Sequence, residues 1–132
     1  MFGKKAPPPI KSLIAQGSRI DGHLRFTEGL RIDGEVVGNV TASPDQPSML
    51  VISEAASVEG EVRADHVIVN GTVRGPVHAG ELLELQPRAR IEGDVHYKCL
   101  EMHQGAVIAG QLRPLDLEEK PLLKLAATNA AT

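Results

Sequence analysis

A five-residue phrase, apolar-x-Gly-x-apolar, returns along this chain at near-constant spacing, and that repetition limits the folds open to it more than any other feature. It reads Ile20-Asp21-Gly22-His23-Leu24, Val36-Val37-Gly38-Asn39-Val40, Val58-Glu59-Gly60-Glu61-Val62, Val73-Arg74-Gly75-Pro76-Val77, Ile91-Glu92-Gly93-Asp94-Val95 and Ile108-Ala109-Gly110-Gln111-Leu112. A fixed period is the mark of a solenoid, in which each repeat buries its apolar side only by stacking on its neighbours.

Between the phrases the dominant pattern is alternation, as in Ile20, Gly22, Leu24, Phe26 and then Leu30, Ile32, Gly34, Val36. A period of two sends one set of side chains inward and the other outward, which is the strand reading. Further strands are expected at Met49–Ile52, Val67–Val73, Leu82–Leu85, Ile91–Tyr97 and Leu100–Met102, and no stretch carries a helical stripe. The phrase glycines lie 16, 22, 15, 18 and 17 residues apart, and the long interval holds a turn-rich insertion, Ser43-Pro44-Asp45-Gln46-Pro47. A period near 17 residues, divided over three short strands and three corners, predicts six triangular windings between Ser18 and Arg113. At roughly 4.8 Å per layer they make a rod about 30 Å long. Gly22, Gly38, Gly60, Gly75, Gly93 and Gly110 fall on the inward parity, where a side chain is expected to collide with the opposite wall.

Two Phe, one Tyr and no Trp in 132 residues are too few for a core built on aromatic rings, so the interior must be narrow and aliphatic. The net charge of -3 argues against a general nucleic-acid binder. A single cysteine, Cys99, excludes an intramolecular disulfide framework and suits a reducing cytosol. With no apolar run long enough to cross a bilayer and no signal peptide, the expected setting is cytoplasmic. Residues 1–17, with Pro7-Pro8-Pro9, are read as a flexible tail outside the fold, and residues 114–132, opening on Pro114, as a disordered one.

Catalytic chemistry finds little support. His78 and His96 fall one winding apart, within roughly 5 Å of each other, but no third ligand accompanies them, and they read as surface histidines. Cys99 beside Lys98 has no base or oxyanion site in view. No nucleotide-binding or dinucleotide motif is present, so no catalytic, cofactor or metal residue is assigned. The position three after each phrase glycine forms one outward column, Arg25, Thr41, Arg63, His78, His96 and Arg113, read as a solvated ladder.

The two ends of such a coil differ from its sides, because they expose unpaired strand edges and an open core. Ile20, Leu24 and Phe26 in the first winding and Ile108 and Leu112 in the last offer apolar faces to another copy, so end-to-end polymerisation is expected. Met1 and Phe2 next to Lys4 and Lys5 form an apolar tip with cations, suited to weak contact with anionic lipid at about 1 kcal/mol per Lys. Many such tips on one polymer would bind with avidity.

The Met1-Phe2-x-Lys4-Lys5 start, the proline-bearing spacer, the Ser18-Arg19-Ile20-Asp21-Gly22 opening, Ile32-Asp33-Gly34 and the repeated Gly-x-Val windings resemble the bactofilins, bacterial cytoskeletal proteins. The resemblance implies a right-handed triangular parallel β-helix that polymerises without nucleotide into non-polar filaments. It also implies membrane contact through Met1, Phe2, Lys4 and Lys5, and recruitment of cell-wall or polarity proteins. The competing readings are a monomeric membrane adaptor and a β-helical enzyme of the acyltransferase or carbonic-anhydrase kind. Those enzymes' left-handed coils need a strict six-residue repeat, which spacings of 15 to 22 do not supply.

Overall fold

The computed structural model describes residues 8–115, and every element in it is a β-strand. The strands are β1 (Ile10–Ile14), β2 (Arg19–Asp21), β3 (Leu24–Phe26), β4 (Gly29–Ile32), β5 (Glu35–Val37), β6 (Val40–Ala42), β7 (Met49–Ile52) and β8 (Ser57–Glu59). They continue as β9 (Val62–Val69), β10 (Thr72–Arg74), β11 (Val77–Leu85), β12 (Arg90–Glu92), β13 (Val95–Met102), β14 (Val107–Ala109) and β15 (Leu112–Pro114).

All pairings are parallel and join strands one winding apart, so the chain coils into a solenoid with three faces. The first face stacks β2, β5, β8, β10, β12 and β14. The second stacks β3, β6, the leading halves of β9, β11 and β13, and β15. On the third lie β1, β4, β7 and the trailing halves of those same long strands. Expected strands Val67–Val73 and Ile91–Tyr97 are each split, at Asn70-Gly71 and at Gly93-Asp94, because the chain turns a corner there.

Strict parallel register turns the alternation of the sequence into columns. On the first face Ile20, Val36, Val58, Val73, Ile91 and Ile108 stand one over another inside the coil. On the second, Leu24, Val40, Val62, Val77, Val95 and Leu112 do the same. The third contributes Leu30, Leu50, Val67, Leu83 and Leu100, and beside them Ile32, Ile52, Val69, Leu85 and Met102. The middle members are fully buried, each worth about 1.5–3 kcal/mol relative to exposure. Because every layer is similar, the core is a continuous aliphatic rod.

Two expectations are corrected. The coil begins at Ile10, ahead of Ser18, since β1 pairs along β4 and sets Ser12 over Leu30 and Ile14 over Ile32. Part of the supposed tail thus completes the first winding, and the six windings run β1-β2-β3 through to the end of β13 with β14 and β15. The phrase glycines, too, avoid a different obstacle from the one expected. A Cβ on Gly60 would strike the carbonyl of Gly38 in the winding below, not the opposite wall, and Gly38, Gly75, Gly93 and Gly110 each meet the preceding phrase glycine in the same way. Gly60 also holds φ +152°, a conformation that L side chains rarely take.

The corners between the third and first faces are of two lengths. Four-residue corners close with a backbone bond, as where Ser18 N–H donates to Ala15 O at 3.0 Å and Ala56 N–H to Ser53 O at 2.9 Å. Two-residue corners at Asp33-Gly34 and Asn70-Gly71 nest against them, and a Cβ at Gly34 or Gly71 would overlap the carbonyls of the longer corner. The insertion after β6 is anchored by the buried Ser48: its N–H donates to Asp65 Oδ2 at 3.2 Å, and Asp65 N–H donates back to Ser48 Oγ at 2.9 Å.

Candidate assembly surfaces

The expected end residues are the terminal members of three inward columns, but they are not equally open. Ile20 and Leu24 are half-buried against the core, and Phe26 is 8% exposed. Phe26 pairs with Ala42, a small neighbour that leaves room for the ring to fold inward, so it is a core residue, not an exposed one. At the other end Ile108 is half-buried and Leu112 is 50% exposed. Met1, Phe2, Lys4 and Lys5 lie outside the described residues.

Several end residues were not singled out from the sequence. At the first winding these are Ile10 and Leu13 on β1, both exposed, with Ile14 partly buried. At the last they are Met102, 47% exposed, Val107, exposed on the outer side of β14, and the partly buried Leu100 and Ala106. Met102 was legible as the next member of the Ile32, Ile52, Val69, Leu85 column. Ile10 to Ile14 lack the alternation of the other strands, with Ser12 set over Leu30, and stood among residues assigned to the tail.

Among the described residues the terminal strands are paired on one side: β1 with β4, β2 with β5 and β3 with β6 at one end, and β13's trailing half, β14 and β15 with the winding before them at the other. Each end therefore presents a triangle of unpaired backbone N–H and C=O groups around the cut core, the condition that favours strand addition from another chain.

The sides carry matched charge. Arg74 lies between Glu59 (3.4 Å) and Glu92 (3.5 Å) on adjacent windings, and Arg19 joins Asp21 (3.1 Å) and Glu35 (3.4 Å). Asp21 and Glu35 hold the Arg19 guanidinium pKa above its ordinary value, Asp21 acting most. Hydrogen bonds from the Ser53 hydroxyl and then Arg31 lower the Asp33 carboxyl, and the Gln111 N–H, helped by Arg113, lowers Asp94. The column Arg25, Thr41, Arg63, His78, His96, Arg113 is in register as expected, and the His78 and His96 rings stack at 4.4 Å between centroids and 10° between planes. Burial, followed by the Arg63 and His96 charges, depresses the His78 pKa against the pull of Glu61 at 2.9 Å.

Cys99 is exposed on the third face. Glu84, Glu101 and His103 come together there with ligand atoms within 4.8 Å of one another, a set of two carboxylates and an imidazole able in principle to hold a divalent cation. Glu84 and His103 already pair with each other at 3.3 Å. No described helix is long and apolar enough to cross a membrane.

A parallel β-solenoid with cut ends and charge-laddered sides is a protein class in which contact between copies has obvious places to form. The chain belongs to the bactofilin family: a family model described as polymer-forming cytoskeletal matches residues 12–113. It is 30% identical to bactofilin BacP of Myxococcus xanthus (strain DK1622) over 107 residues, 81% of this chain and 43% of BacP. To bactofilin BacO of the same organism it is 24% identical over 119 residues, 90% of each chain. The chain thus spans less than half the length of BacP. No solved structure gives a significant match.

Proposed function

We propose that this member of a polymer-forming cytoskeletal family is a scaffold whose subunits join through the two ends of the solenoid into non-polar filaments, without nucleotide. The observation that carries this reading is the last winding, where Met102, Leu112 and Val107 stand exposed beside the open edges of β13, β14 and β15. Adding another copy there would continue the ladder and remove apolar surface from water in one step. Met1, Phe2, Lys4 and Lys5 would hold the polymer to the inner face of the cytoplasmic membrane, each tip weakly and the array firmly. Cell-envelope or polarity proteins would then be positioned along it.

Electron microscopy of the purified full chain, with no nucleotide added, tests the assembly. Filaments are expected from the native chain and short soluble species from Leu112→Arg, with an unchanged circular dichroism spectrum. Persistent filaments in Leu112→Arg combined with Met102→Arg would remove the end-stacking assignment. Phe26→Arg is a poor probe of it, because Phe26 is buried. Co-sedimentation with anionic vesicles, with and without residues 1–5, tests the membrane contact separately.

A further inference from the structure

The three sides of the rod are unequal. Outward positions on the first face are mainly charged, with Arg19, Glu35, Glu59, Arg74, Arg90 and Glu92 among them, and the second carries the basic and histidine column already described. On the third face the outward positions of the middle windings are Met49 and Val51, then His66 and Ile68, then Leu82 and Glu84. Val51 and Ile68 lie in a shallow depression bordered by Arg31, Glu54 and Gln86.

Charge on this face is divided along the rod. One outward column reads Leu13, Arg31, Val51, Ile68, Glu84, Glu101, a cation in the second winding and carboxylates in the last two. We propose that this face is a lateral contact between two copies of the chain, packed face to face and antiparallel about a two-fold axis along the strand direction at the centre of the rod. That operation brings Val51 against Ile68 of the second copy, Met49 against its His66 and Arg31 against its Glu84. Arg31 keeps Asp33 at 2.9 Å on its other side and its side chain is half exposed, so the guanidinium can serve both carboxylates. Parallel pairing would set the Glu84 and Glu101 windings against their own copies, where like charges repel. The contact is isologous, as a closed two-fold interface must be. It is also independent of the end contact, so it pairs filaments or single subunits alike.

Paired cysteines test the register. In a Cys99→Ser background, Arg31→Cys and Glu84→Cys sit three windings apart within one chain, about 14 Å at 4.8 Å per layer, too far for an internal disulfide. End-to-end stacking leaves them out of reach as well. Oxidation should cross-link the double variant into covalent dimers, including in a Leu112→Arg background where end stacking is broken, and should leave each single variant uncross-linked. Arg31→Glu or Glu84→Arg alone should halve filament mass per length, and the two together should restore it. Absence of the double-variant cross-link in chains that form filaments overturns the proposal, as does equal cross-linking of a single variant, which would mean parallel packing. Cross-linking that appears only after removal of residues 116–132 also overturns it, since the chain's own carboxyl-terminal segment would then be the occupant. If Leu112→Arg leaves filaments intact while the cross-link forms, the end-contact reading fails and this one stands.

Discussion

The two ends of the solenoid are cut from the same columns and finish differently. At the first winding β1 lays Ile14 over the core, and Phe26 turns its ring inward over Ala42, so the columns close on themselves in part. At the last winding Met102, which ends the column that Ile14 begins, and Leu112, which ends the column that Leu24 begins, are about half exposed. The glycine column shows the same asymmetry: Gly110 is pressed against the Gly93 carbonyl, whereas nothing lies within 4 Å of a Cβ at Gly22. Each winding is shaped by the one before it, so the first is the least constrained by a neighbour and the last the most in need of one. Exposed apolar side chains stand at both ends, Ile10 and Leu13 at the first winding and Met102, Val107 and Leu112 at the last, but only at the carboxyl end do they include members of the inward columns.

The largest effect is expected from substituting one glycine in the middle of the rod and one at its start. Gly60→Ala must overlap the Gly38 backbone as well as hold φ +152°, and should cost more than about 4 kcal/mol, whereas Gly22→Ala, at φ +132° with open space, should cost only the backbone strain of about 1–3 kcal/mol. Urea unfolding of both variants measures the gap; equal costs would mean that the contact between windings is not what selects glycine.

A charge placed at each end comes next. Ile14→Arg, partly buried, should lose about 1–3 kcal/mol as well as weakening assembly, while Met102→Arg should alter stability by no more than about 0.5 kcal/mol and still shorten filaments. Thermal melts paired with sedimentation separate the two effects.

Acidity acts on the middle of the rod with a smaller effect. His78 is held below its ordinary 6.5, so the folded chain binds fewer protons than the unfolded one near that pH. The resulting stability is complete above about pH 6.5, declines as pH falls through it, and reaches a floor below the folded value. His78→Gln should flatten the melting-temperature profile between pH 7.5 and about 5. Asp33 and Asp94, both lowered from 3.8, contribute stability that is present above that value and lost only as pH falls through their depressed pKa values. The smallest change is expected from Arg74→Ala. Its exposed pairs with Glu59 and Glu92 should be worth under about 1 kcal/mol together, and less in high salt.

The coil, its number of windings, the insertion on its outside and the register of the Arg25-to-Arg113 column follow from residue order alone. A parallel solenoid converts residue spacing directly into position, so counting along the chain is nearly equivalent to measuring along the rod. What closes each end depends instead on packing between windings. Ile10 to Ile14 do not alternate, and their strand exists because β4 offers an edge to pair with. Phe26 shows the same limit: its place at a tip could be counted, but its burial depends on the small side chain of Ala42 beneath it. The unequal character of the three sides also needed the fold, since outward residues far apart in the chain, such as Arg31 and Glu84, become one surface only when the windings are stacked.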